Sequence, residues 1–377
     1  MKRVIIRSVR NDRIIKIWQI EIRISASAKK PKLFISGRTQ NPTEKNQTEE
    51  EKMMRLIKKQ SVGKNIRRKN SSWVYILAFL FPVMIFAAGF AMKGVYPFGE
   101  NSALVVDGVH QYTAFYKELL SQLEKGAGWT YSTHSMGYDF YGLFCYYLSS
   151  PFSLLVLLFM KFMYVNDAVT AVILIKVGLC SVSMAWYSGK KYPGRGSMAV
   201  SLGCMYALSN FLMGYYSNVM WLDCIMLLPV LAYLIEQLVH TGKWRGYCLV
   251  LGYCILTSYY MGFMLCVFAA LYYLANLIIM VATKPDQRGA KIFYSLGTFA
   301  GASIAAAGLG GITLIPGIIA VSRTAAATEA GSKLNGVYGD LWKQLGALME
   351  DSLSFVKSGE QGDVNLYCGC AVLLFAG

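Results

Sequence analysis

Residues 73–92 read WVYILAFLFPVMIFAAGFAM, twenty residues without a charge. A helix needs about that length to cross a hydrocarbon core roughly 30 Å thick. Comparable apolar runs follow at 141–160, 168–188, 197–216, 219–239, 246–260, 262–281 and 292–320. With 55% hydrophobic and 15% charged residues overall, the pattern predicts an all-α, polytopic transmembrane bundle over residues 71–377. The apolar stretch 366–377 is too short to span, so the chain is expected to be truncated at its C-terminal end.

The formal charge of +16 is concentrated at one end. Residues 1–72 hold 20 Lys/Arg against 6 Asp/Glu, leaving 17 against 15 for the rest. A basic segment ahead of the first apolar run marks a cytoplasmic end, and it explains the charge without nucleic acid. Residues 1–70 therefore read as a basic, disordered cytoplasmic segment. Met53 or Met54 would make the more ordinary start. The first helix then carries the chain outward, making 93–140 an outer loop. The connections 190–195, 240–245 and 284–291 are basic and read as inner. Parity conflicts with this unless one of the runs 141–160 and 168–188 is irregular. Ser149-Ser150-Pro151 points to 141–160 as re-entrant or tilted; the alternative places the first basic connection outside. The polar stretch 322–365 reads as a second outer segment.

Most cysteines stand singly in apolar runs, where Cys acts as a small hydrophobe, and the spacing of Cys368 and Cys370 is poor for a metal. No Walker loop, dinucleotide fingerprint or HExxH motif occurs. Lys176 and Glu236, inside helices, read as structural residues that snorkel to the inner face. The paired tyrosines, Tyr146-Tyr147 and Tyr259-Tyr260 among them, read mostly as interfacial belt.

The chemistry-bearing residues gather in the outer loop, around Asp107. From 108 to 125 the apolar residues Tyr112, Phe115, Tyr116, Leu119, Leu120 and Leu123 form one stripe, with Lys117, Glu118, Gln122 and Glu124 off it. This predicts an amphipathic helix resting in the membrane surface. Asp107, just before it, would serve as general base for an acceptor hydroxyl or hold a divalent cation against a phosphate; equally, it would cap the helix. Asp139 and His134 are candidates to pair with it. Asn218, Trp221 and Asp223 form a further outer cluster, and Asp223 would be either a site residue or a dipole partner in the first turn of its helix. Arg323, at the end of the Gly-rich run, suits a phosphate.

These residues carry a resemblance. Asp107 with Gln111-Tyr112, Gly137-Tyr138-Asp139-Phe140, Tyr146-Tyr147-Leu148-Ser149-Ser150-Pro151-Phe152, Asn218 with Met220-Trp221-Leu222-Asp223, and Tyr260-Met261-Gly262-Phe263 together resemble the YfhO family of bacterial membrane proteins. Members of that family look like GT-C-fold glycosyltransferases. The resemblance implies sugar transfer from a polyprenyl-phosphate carrier to an envelope polymer such as lipoteichoic or wall teichoic acid, on the outer face of the cell membrane. It implies Asp107 as the catalytic residue, holding any metal; Asp139, which stands where the family pattern has Asn, is the second catalytic candidate of the loop. Gln111, Tyr112, His134, Asn218, Asp223 and Arg323 would bind substrate, and membrane lipid would be the surrounding partner. Two other classes remain open on the residues alone, a transporter or flippase of the lipid-linked precursor and a non-catalytic envelope scaffold.

Overall fold

A computed structural model describes residues 71–105, 107–126, 139–283 and 289–323. The described chain is helical, with one isolated bridge pairing Val95 and Asn101. Helix α1 is Ser72–Met92. The loop after it leads into a five-residue π-helical turn, Gly108–Tyr112, continued by α2, Thr113–Lys125. Next come α3, Phe140–Leu143, a second π turn, Phe144–Leu148, and α4, Phe152–Phe159. Then follow α5, Val165–Lys191; α6, Gly196–Ala207; α7, Asn210–Tyr215; and α8, Val219–Thr241. The last are α9, Arg245–Thr257; α10, Tyr259–Thr283; and α11, Ala290–Ser322. Five of these helices are individually long and apolar enough to cross a membrane, and the expected multi-pass bundle is present.

The parity conflict has a geometric answer. A Cβ on Gly196 would lie 2.8 Å from a Val74 methyl, so α1 and α6 begin at the same end of the bundle. At the opposite end Phe86 packs on Tyr216, whose hydroxyl donates to the Ala103 carbonyl at 2.8 Å. The Thr113 hydroxyl, a few residues further on, donates to Asn166 Oδ1 at 2.8 Å, so α5 starts where α1 finished. The segment between them, Phe140–Leu148 and Phe152–Phe159 bent by 99°, therefore enters and leaves at one end. It is a re-entrant hairpin, as the Ser-Ser-Pro break suggested, and α5 delivers Lys190 and Lys191 to the end where α1 begins.

The hairpin meets a short helix. α9 has 13 residues, about 20 Å at 1.5 Å per residue, and stops short of a full crossing. The last carbonyls of a helix have no partner within it, and lipid supplies none. Here Ser149 donates to the Thr257 carbonyl at 3.1 Å and Thr313 to the Leu256 carbonyl at 2.9 Å. Hairpin and α11 thus complete the end of α9.

The amphipathic helix α2 is present, but the structure corrects its seating. Tyr112, Tyr116 and Leu119 are buried in the bundle core with Leu148, Val156 and Val172, and only Leu123 of the stripe is largely exposed. The stripe binds protein instead of lipid, because the hairpin and α5 present an apolar surface to it. Glu118 and Gln122, expected on the wet face, are buried too, and Gln122 donates to Glu118 at 2.7 Å.

The Gly-rich α11 also departs from expectation. Pro316 lies inside a continuous helix and does not break it. Of Gly297, Gly301, Gly308, Gly310 and Gly311, only Gly310 makes a close approach to a neighbouring helix, at Ile255; Gly317 does the same at Tyr259. A less yielding approach lies elsewhere: a Cβ on Gly203 would sit 2.6 Å from the Ser181 backbone oxygen, which cannot move aside without moving α5.

Two stability contrasts follow, both read by thermal unfolding of purified protein in detergent. Leu119→Ala should destabilise by about 2–5 kcal/mol, while Leu123→Ala stays within about 0.5 kcal/mol; a helix floating in the interface would make the two alike. Gly203→Ala should cost about 1–3 kcal/mol by overpacking, whereas Gly301→Ala, with nothing within 4 Å of its new methyl among the described residues, should cost nothing.

Candidate functional site

Asp107 opens the first π turn with helical φ and ψ, and its side chain caps no backbone amide. The capping role considered for it belongs to Asp139, whose Oδ1 accepts from the Tyr141 and Gly142 amides at 3.1 and 3.3 Å. The Asp107 carboxylate is exposed and accepts from Gln111 Nε2 at 3.3 Å. Gln111 is oriented in turn, its Oε1 accepting from the Tyr147 hydroxyl at 2.9 Å. One end of this chain meets solvent and the other reaches the hairpin.

Both partners sit on π turns, wide local windings that recur at functional sites. The two turns interlock through aromatic edges. Tyr147 packs on Tyr112 at 5.5 Å, on Phe115 at 4.8 Å and on Tyr146 at 4.5 Å, and Tyr146 reaches Tyr259 at 5.2 Å. Asp107 is close enough for its charge to bear on the Tyr146 phenol. Tyr146 and Tyr147, read as belt, are half-buried and pack on other aromatic rings of the protein. Burial pushes the phenols of Tyr112 and Tyr116 upward, the latter to about 12, so neither is a base near neutral pH. That leaves Asp107 as the accessible carboxylate of the cluster.

The other candidates are placed apart from this chain. Tyr112 is a buried packing residue beside Tyr147. Asn218 is half-buried just before α8, followed by an aromatic row in which Trp221 packs between Tyr215 at 5.5 Å and Tyr260 at 6.0 Å. Arg323 is exposed at the end of α11, near the start of the hairpin, where a Cβ on Gly142 would touch the Ala320 methyl. His134 lies outside the described residues. No three His, Cys, Asp or Glu side chains converge among the described residues, so the described chain offers a divalent cation one carboxylate at Asp107.

Asp223 is fully buried in α8, beyond the first turn, and forms an ion pair with Lys176 of α5. Lys176 consequently does not snorkel: its ammonium also donates to the Val219 carbonyl at 3.0 Å and lies 4.9 Å from the Phe152 ring centre. Ser150 and Tyr253 donate to the other Asp223 oxygen at 3.0 and 3.1 Å. Glu236 is structural, as expected, and pairs with Lys191 while accepting from Tyr187 and Tyr272. The signal for the Lys176–Asp223 pair was present in the sequence as two opposite charges within apolar helices, but nothing in their spacing joined them.

Residues 78–376 match the family described as Bacterial membrane protein YfhO. The chain belongs to this family. No curated protein and no solved structure matches it. The YfhO match begins within α1 and covers the rest of the described bundle, including the π turns, the hairpin and the buried pair, and makes this chain a multi-pass bacterial membrane protein.

Proposed function

We propose that this YfhO protein is an integral-membrane glycosyltransferase that moves a sugar from a polyprenyl-phosphate carrier to an envelope polymer, such as a teichoic or lipoteichoic acid, on the outer face. The observation that carries the proposal is the exposed Asp107 carboxylate, oriented by Gln111 and Tyr147 at the mouth of a membrane bundle. Lys190 and Lys191 lie at the end of the bundle opposite Asp107, and under the positive-inside rule this supports an outer position for the carboxylate. A carrier lipid presents its phosphate at that depth.

In this reading Asp107 accepts the proton of the acceptor hydroxyl as the hydroxyl oxygen attacks the anomeric carbon. The new glycosidic C–O bond forms as the bond from that carbon to the carrier phosphate oxygen breaks, and polyprenyl phosphate leaves with the electron pair. Gln111 holds the carboxylate in place, and Tyr147 fixes which end of the Gln111 amide faces it. A transporter of the lipid-linked sugar would need polar groups open to a path through the bundle. Asp223, buried within α8, and Glu236, toward its end, are instead each bound by a lysine and by two hydroxyls.

Asp107→Asn should lower transfer by about 10²–10⁴-fold, the range for a lost general base, with unchanged protein in the membrane. Tyr147→Phe, which removes the hydrogen bond to Gln111, should give a smaller loss. The measurement is transfer of labelled sugar from carrier to polymer in membranes with matched protein, beside the polymer composition of cells with and without the gene. Full activity of Asp107→Asn would refute the role. Carrier-linked sugar moved across vesicles without being consumed would favour the transporter.

A further inference from the structure

We propose that the buried Lys176–Asp223 pair is a positioning element for Asp107, acting through Ser150 of the re-entrant hairpin; this rests on the reading of Asp107 as the reacting carboxylate. Both side chains are sealed from solvent, at 1% and 0% exposure. Their hydrogen bonds are made inside the protein, to each other, to the Val219 carbonyl and to the Ser150 and Tyr253 hydroxyls. A pair so buried is not offered to a substrate arriving from water. It acts on what it holds.

Part of what it holds is the hairpin turn. Ser150 donates to Asp223 while its Oγ accepts from the Phe152 amide at 3.2 Å, and the Phe152 ring lies against the Lys176 ammonium. Ser149 beside it is bonded to the end of α9. Three residues before Ser150, on the π turn that leads into this bend, Tyr147 holds Gln111, which holds Asp107. A route of short links thus runs from the buried pair to the exposed carboxylate. Apolar side chains would fill the interior at lower desolvation cost, but they would not fix the rotation and depth of a hairpin whose two limbs are this short. Tyr253 binds the same Asp223 oxygen as Ser150 does, but it stands on α9, away from that route.

This symmetry supplies the test. Ser150→Ala and Tyr253→Phe each delete one hydroxyl donor to one carboxylate oxygen, and thermal unfolding of the two variants should fall by similar amounts. Ser150→Ala should lower kcat for transfer by about ten-fold, as a misplaced catalytic group does, with the donor KM held within about two-fold. Tyr253→Phe should remain near wild type and Ser150→Thr, which restores the hydroxyl, should recover. A readout free of catalysis uses the purified full chain with Asp107→Cys. Maleimide labelling at position 107, followed by mass spectrometry, should change rate severalfold on adding Ser150→Ala and not on adding Tyr253→Phe. Equal effects of the two variants on kcat, or an unchanged labelling rate with Ser150→Ala, would overturn the proposal. If labelling responds and wild type transfers no sugar, positioning stands and the enzyme reading falls. If wild type transfers sugar and Ser150→Ala transfers as well, the reverse holds.

Discussion

A lysine and an aspartate buried in a membrane bundle are tolerable only together, because either charge alone would be left in a medium that cannot solvate it. The Lys176–Asp223 pair meets that constraint, and much of the surrounding architecture follows from it. It draws α5 against α8, places the Phe152 ring on the ammonium and brings the Ser150 and Tyr253 hydroxyls onto the carboxylate. Four parts of the chain, distant in sequence, are joined at one point deep in the bundle.

The second constraint is that backbone polar groups have no water to turn to in lipid. A helix of 13 residues ending within the bundle and a hairpin bent by 99° would each be costly alone. Each supplies what the other lacks, since Ser149 of the hairpin bonds the terminal carbonyl of α9. Irregular backbone at membrane depth is thus enclosed in protein. The same enclosure receives the apolar stripe of α2, which would otherwise have had to lie in lipid.

The proposed function is carried where these constraints reach the surface. Asp107 is exposed, but its orientation is inherited from Gln111, then Tyr147, then a hairpin fixed in the interior. The surface end can meet a substrate while the buried end remains rigid. Such a division suits a group-transfer site, which needs one reactive atom open and its geometry held.

How far the sequence alone reached follows from the range of each effect. Apolar run length is local, so the eight runs, the all-α class and the helix after Asp107 were legible, and so was the irregular segment announced by Ser149-Ser150-Pro151. Asp107 and Gln111, which the structure joins by a hydrogen bond, could also be singled out together, since they fall in one short motif. Partnerships were not legible, because a charge in a helix does not specify its counterion: Lys176 was assigned to the inner face and Asp223 to the outer cluster. The seating of α2 was likewise misjudged, because an amphipathic stripe has the same period whether it faces lipid or protein. Tyr146 and Tyr147 were counted as belt for the same reason. What the sequence determined was the set of elements, through hydrophobic length and periodicity. The tertiary structure alone decided which buried charges pair, which face of each helix is covered and how Asp107 is held, because those depend on residues distant in sequence, 47 positions apart for Lys176 and Asp223 and 108 for Ser149 and Thr257.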